Sequence, residues 1–138
     1  MMALVDTPVW SLALRRRAVD LSEPELRLTQ RLKELVREGR VQLLGTTRQE
    51  VLSGIREETQ FQRIREHLRS FEDVLLVADD YEEAARMSNR CKRSGIASSA
   101  ADMLICAVSD RRRWQILSTD RDFVHYERVL GLRLHSLS

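Results

Sequence analysis

Four short apolar runs, Ala3–Val5, Val41–Leu44, Val74–Val77 and Trp114–Leu117, alternate with longer stretches of helical periodicity. That alternation constrains the fold more than any other feature. Each run suits a buried strand, and each intervening stretch is long enough to cross back over a sheet. Strand and helix in this rhythm specify an α/β fold, a parallel sheet covered by helices on both faces. Thr7-Pro8 opens a first helix carrying Val9, Trp10 and Leu14. Ser22-Glu23-Pro24-Glu25 opens a second, with Leu28, Leu32, Leu35 and Val36 on one face and Gly39 behind it. Thr46 or Thr47 is expected to cap a third, which holds Glu50, Val51, Leu52 and Ile55. Glu58–Ser70 and Asp79–Ser94 read as charged amphipathic helices, and Ser98 or Ser99 starts an almost wholly apolar one. Leu132–Leu134 reads as a final edge strand.

Composition narrows the class further. With 138 residues, 43% hydrophobic and 32% charged, the chain is expected to form one domain over 1–138. Five Gly and two Pro exclude a collagen-like chain and argue against an all-β one. No apolar run is long enough to cross a bilayer, so no membrane is expected among its partners. Met-Met-Ala-Leu-Val-Asp lacks the basic flank and apolar stretch of a signal peptide. Two cysteines, Cys91 and Cys106, make no disulfide framework and fit a reducing compartment, so the expected location is the cytoplasm.

In open parallel sheets, ligands bind at the carboxyl ends of the strands. Asp6 follows the first strand there, and Asp120 and Asp122 follow a later one. Most other acids have ordinary uses. Glu23 with Arg27, and Glu82 with Arg86, have the i,i+4 spacing of exposed helix pairs, while Asp79 and Asp80 sit at a helix start. Asp102 is different, because it lies in the apolar stretch Ala100–Val108 with Ser98 and Cys106 as its i−4 and i+4 neighbours. An unpaired carboxylate buried there costs several kcal/mol by rough estimate, unless a cation arrives from elsewhere. Glu50 likewise has only Thr46, Ser53 and Gly54 beside it. Each acid also has a plain structural use: Glu50 at the surface, Asp6 as a helix cap, Asp102 as a first-turn acid. If Asp6, Glu50, Asp102 and Asp120 converge, their repulsion calls for a hard divalent cation such as Mg²⁺ or Mn²⁺. His67, His125 and His135 have no zinc-like spacing, and no glycine-rich phosphate loop is present.

Four segments carry a resemblance. Leu4-Val5-Asp6-Thr7-Pro8-Val9-Trp10, Glu50-Val51-Leu52-Ser53-Gly54, Asp102-Met103-Leu104-Ile105 and Ser118-Thr119-Asp120-Arg121-Asp122-Phe123 are similar, in order and spacing, to the four motifs of PIN-domain nucleases. Length and detail resemble the toxin subunit of VapBC toxin–antitoxin pairs. Pro8 replaces the usual Ser of the first motif, and Cys106 stands where Ala is common. The resemblance implies a PIN-like three-layer α/β/α sandwich around a mostly parallel, short-stranded sheet. It also implies an Mg²⁺- or Mn²⁺-dependent endoribonuclease with Asp6, Glu50, Asp102 and Asp120 as catalytic, metal-binding acids and Asp122 as a further metal ligand. Thr7, Thr119 and Arg121 are implied as groups that orient a carboxylate or contact phosphate. The implied chemistry is in-line attack of water on phosphorus, leaving a 5′-phosphate and a 3′-hydroxyl. The implied partners are an RNA substrate and a small inhibitory antitoxin, in a homodimer or a higher oligomer with that antitoxin.

Charge distribution fits a phosphodiester substrate. Setting five candidate acids aside leaves 16 of the 21 acids against 23 basic residues, about +7 for the rest of the chain. Arg15–Arg17 follow the helix that begins beside Asp6, whereas Arg111–Arg113 lie about 14 Å along the Asp102 helix and are read as peripheral. A haloacid-dehalogenase phosphatase needs Asp-x-Asp, and position 8 is Pro; a receiver domain needs a late lysine, and Lys occurs only at 33 and 92. The alternative from another class is a non-catalytic PIN-fold scaffold that binds RNA or protein, for which loss of an acid is the expected mark.

Overall fold

The computed structural model describes residues 1–135; the last three residues of the expected domain lie outside the described part. Three strands, β1 (Ala3–Val5), β2 (Val41–Gln42) and β3 (Gln115–Leu117), form a parallel sheet in the order β2-β1-β3. Ala3 pairs with Val41 on one side and with Gln115 on the other, so the first strand is the central one. The helices are α1 (Thr7–Arg15), α2 (Glu23–Arg37), α3 (Gly45–Leu52), α4 (Glu58–Leu68), α5 (Ala78–Arg93), α6 (Ala100–Arg112) and α7 (Asp122–Leu130).

Period-two alternation in the strands divides the core. Leu4 and Ile116 belong to one apolar cluster, with Met87, Met103 and Phe123 of α5, α6 and α7. Ala3, Val5 and Leu117 belong to the other, with Trp10, Leu32, Val51 and Ile64 of α1, α2, α3 and α4. This is the three-layer sandwich. Local signals explain most helix starts: Ser22 and Glu25 form a reciprocal capping box at α2, and Ser99 accepts from Asp102 N at α6.

Several sequence expectations are corrected. Val74–Val77 forms no strand: only Asp73 bridges to Leu43, and Val74 N donates to Leu43 O. Beyond that point Leu75 stands 86% exposed, and its carbonyl accepts from Arg112 instead of a neighbouring strand. Leu132–Leu134 likewise reduces to one bridge, Ile116 with Leu134. Neither Thr46 nor Thr47 caps α3, which starts from Leu44 without a side-chain cap. Arg48 fastens that helix through Asp73, Leu68 O and Phe71 O. The pair expected between Glu82 and Arg86 is replaced by Glu83 with Arg86 and Arg90.

Asp80 keeps the structural use expected of a helix-start acid, with partners that local sequence does not show. It is fully buried, its Oδ2 accepts from Val77 N at 2.9 Å, and Arg112 grips both carboxylate oxygens at 2.8 and 3.0 Å. Arg111 adds a further bond to Oδ1. Arg111 and Arg112 are therefore structural partners of a buried acid. Both cysteines are free and buried, and burial pushes the Cys106 thiol far above its ordinary range. Among the described residues no helix is long and apolar enough to cross a membrane.

Candidate functional site

The β1–β3 ladder continues one residue past the strands, where Asp6 N donates to Leu117 O at 2.9 Å. This places Asp6 at the carboxyl edge of the sheet, 4% exposed. Its side chain accepts from Thr7 N at 2.9 Å and from the Ser118 hydroxyl at 2.7 Å. The first of these bonds caps α1, so Asp6 fills the helix-cap role as well as facing the site. Ser118 occupies the matching position after β3 and also accepts from Asp120 N at 3.0 Å. The turn then tightens as Asp122 N donates to Asp120 Oδ1 at 2.9 Å. Two strand ends thus set three of the acids.

Asp102 comes from the first turn of α6, where the Ser99 cap fixes its backbone. Its carboxylate approaches those of Asp120 and Asp122 so that one oxygen from each lies within 4.8 Å of the others. Glu50, on α3 and exposed, accepts from the Thr7 hydroxyl at 2.9 Å. Among the described residues none of these five acids pairs with a cation.

Burial and mutual repulsion both act on the carboxyls of Asp6 and Asp102. Burial holds the Asp6 carboxyl up at about 6, with repulsion from Asp102 and Glu50 in the same direction and the Ser118 and Thr7 donors against it. Asp102 is also raised, by burial and by Asp120 and Asp122, while Tyr126 and Ser99 pull it back. The donors are carboxylate oxygens without Cys or His. Mg²⁺ and Ca²⁺ bind oxygen at about 2.0–2.6 Å, so ligands on one ion stand up to about twice that apart. The Asp102–Asp120–Asp122 spacing and donor set fit such a cation.

Two concavities flank the acids. One, about 870 Å³, runs between α3 and the α5–α6 pair and is lined by Thr7, Glu50, Tyr81, Ala84, Met103 and Leu104 among others. The other, about 540 Å³, lies along α1 and is lined by Pro8, Ser11, Arg15, Arg16, Gln60 and Thr119 among others. Arg63 reaches the same helix end, donating to Leu14 O at 3.2 Å. Thr119 therefore faces the basic concavity and makes no described hydrogen bond to a site acid, and Arg121 is exposed beside Asp120. Of the three histidines, His67 and His125 are exposed, and His135 is held between Arg31 and Gln115.

Sequence reasoning missed one buried contact. Tyr126 on α7 donates its phenol O–H to Asp102 Oδ2 at 2.9 Å, and burial together with that carboxylate pushes the phenol far above its ordinary range. Its only sequence signal is spacing: Tyr126 is four residues after Asp122 and so shares its helix face.

The PIN-domain profile matches residues 3–129. Among solved structures, FitAcB from Neisseria gonorrhoeae is similar at a TM-score of 0.76 and 20% identity, covering 99% of this chain and 98% of that one. VapBC2 from Rickettsia felis, bound to a DNA fragment from their promoter, gives 0.74 at 12% identity with 98% of each chain covered. VapBC-5 from Mycobacterium tuberculosis, a member of the VapBC family of toxin–antitoxin systems, gives 0.68 at 18% identity, covering 97% and 98%. These likenesses establish the fold. Comparison with curated proteins finds no match.

Proposed function

This chain belongs to the PIN-domain family, and on that footing we propose that it is a divalent-metal-dependent endoribonuclease acting as the toxin of a toxin–antitoxin pair. One observation carries the reading: five carboxylates gather at the sheet edge without a cation, although the chain has 23 basic residues to supply one. Burial, reinforced by this crowding, raises Asp6 and Asp102, and a bound hard cation offsets both. Asp102, Asp120 and Asp122 are the residues that would hold Mg²⁺ or Mn²⁺, with Asp6 and Glu50 completing the acidic wall. When bound, the cation supplies Lewis-acid activation of water and charge neutralisation at the phosphate.

The protein's own groups do the remaining work. Ser118 and Thr7 N hold the Asp6 carboxylate in one orientation, and the Thr7 hydroxyl does the same for Glu50. The basic concavity at Arg15 and Arg16 offers a phosphate backbone a path to the acids past Pro8 and Thr119. Binding through arginines predicts affinity that falls steeply with salt. For the partner, the support is the kind of complex in which the similar structures occur, toxin–antitoxin assemblies. The apolar groove between α3 and α5–α6 is of a character suited to a protein segment.

The test is cleavage of end-labelled structured RNA by purified protein with EDTA, Mg²⁺ or Mn²⁺. Wild type is compared with Asp6→Asn and Asp102→Asn, and circular dichroism checks that each variant folds. Metal-dependent cutting that drops by at least about 100-fold in both folded variants is the expected result, since loss of even an outer partner of a metal site costs 10–100-fold. Wild-type protein that neither cuts RNA nor binds either metal would favour the non-catalytic scaffold instead.

A further inference from the structure

Asp102 is a half-buried site acid whose carboxylate is gripped by a fully buried phenol. Ser99 caps its backbone at the first turn of α6 and acts on the carboxyl from that same turn, while the Tyr126 phenol donates to Oδ2 from α7. Tyr126 is 1% exposed, and its ring is locked edge-to-face against Phe123 at 5.2 Å and 81°. A buried hydroxyl is costly without a partner, and Asp102 is the partner it has. The phenol thus engages Oδ2 of the same carboxylate that meets Asp120 and Asp122.

We infer that Tyr126 is a positioning residue for the divalent-cation site: by tying Asp102 Oδ2 it fixes the carboxylate and favours Mg²⁺ over Ca²⁺. The inference rests on the metal-binding reading of Asp102 proposed above. Mg²⁺ demands near-ideal octahedral ligand placement, whereas Ca²⁺ accepts variable geometry and two oxygens from one carboxylate. Freeing Oδ2 lets the carboxylate turn, which harms the smaller ion more. Outer partners that orient a metal ligand typically contribute 10–100-fold in affinity.

The experiment is calorimetric titration of the full chain with Mg²⁺ and with Ca²⁺, in wild type, Tyr126→Phe, Asp102→Asn and Leu130→Ala. Tm is recorded for each. Leu130→Ala loosens the same helix and core without touching Asp102, and so controls for stability. The expected result is Mg²⁺ binding at least about 10-fold weaker in Tyr126→Phe, a smaller loss for Ca²⁺, and an unchanged Mg²⁺/Ca²⁺ ratio in Leu130→Ala. A lower Tm in Tyr126→Phe with wild-type Mg²⁺ affinity and ratio would overturn the inference and leave the phenol as a core group. Absence of Mg²⁺ binding in wild type, with no difference in Asp102→Asn, would overturn the metal reading itself and this inference with it.

Discussion

Asp80 and Asp102 occupy the same place in their helices, the third position after the cap, the first fully buried and the second half-buried. Their environments are opposite. Asp80 is saturated by Val77 N and two arginines, which hold its carboxyl well below the usual range. Asp102 receives one neutral phenol and faces two more carboxylates, and it is raised. A buried charge with its countercharge supplied is stabilising architecture, whereas acids gathered without one are the mark of a candidate functional site. Helix position does not separate the two cases; the partners do.

The contrast can be broken at either end. The largest effect belongs to the paired acid. Asp80→Ala leaves two guanidinium groups facing a void and is expected to cost about 3–5 kcal/mol in denaturant unfolding. Because the folded Asp80 carboxyl is depressed, its contribution is complete above the ordinary aspartate value and is lost as pH falls below it. The acidic cluster has the reverse sign. Asp6 is raised from 3.8 to about 6, so the cation-free folded state retains a proton that the unfolded chain releases. Stability of chelator-treated protein should therefore fall as pH rises from about 4 to 6, by on the order of 3 kcal/mol. Asp6→Asn should remove that decline and leave the protein more stable at pH 7 than wild type. A flat wild-type profile would refute the raised Asp6 carboxyl. Smallest is Ser118→Ala, which deletes a donor to Asp6 and an acceptor for Asp120 N. It should cost about 1–2 kcal/mol and move the Asp6 titration, followed by carboxyl NMR, further up.

What could be read from the chain beforehand was local. Ala3–Val5 running into Asp6, the Ser22–Glu25 box and the Ser99 start of α6 all depend on near neighbours, and they appear as expected. The acids were legible because strand ends collect at one sheet edge, so Asp6 and Asp120 could be joined without knowing side-chain contacts. The partners were not legible. Arg111 and Arg112 lie 31 and 32 residues from Asp80, and Tyr126 lies 24 from Asp102, so no window of sequence pairs them. Val74–Val77 misled for another reason. It is apolar enough for a strand, but after Asp73 the chain turns to begin α5, and Val77 N is taken by Asp80.

The parallel register of β1 against β3 has a kinetic meaning. Ala3 pairs with Gln115, and the Ser118–Asp6 bond spans 112 positions, so both halves of the acidic edge depend on the least local contact in the sheet. Loop closure of that length is slow relative to helix formation, and it cannot occur while the β3 segment is still unsynthesised. A nascent chain that ends before β3 therefore carries α1–α6 with Asp6, Glu50 and Asp102 but no assembled site. Whatever activity the acids confer is withheld until synthesis has passed Ser118, a delay written into the strand order.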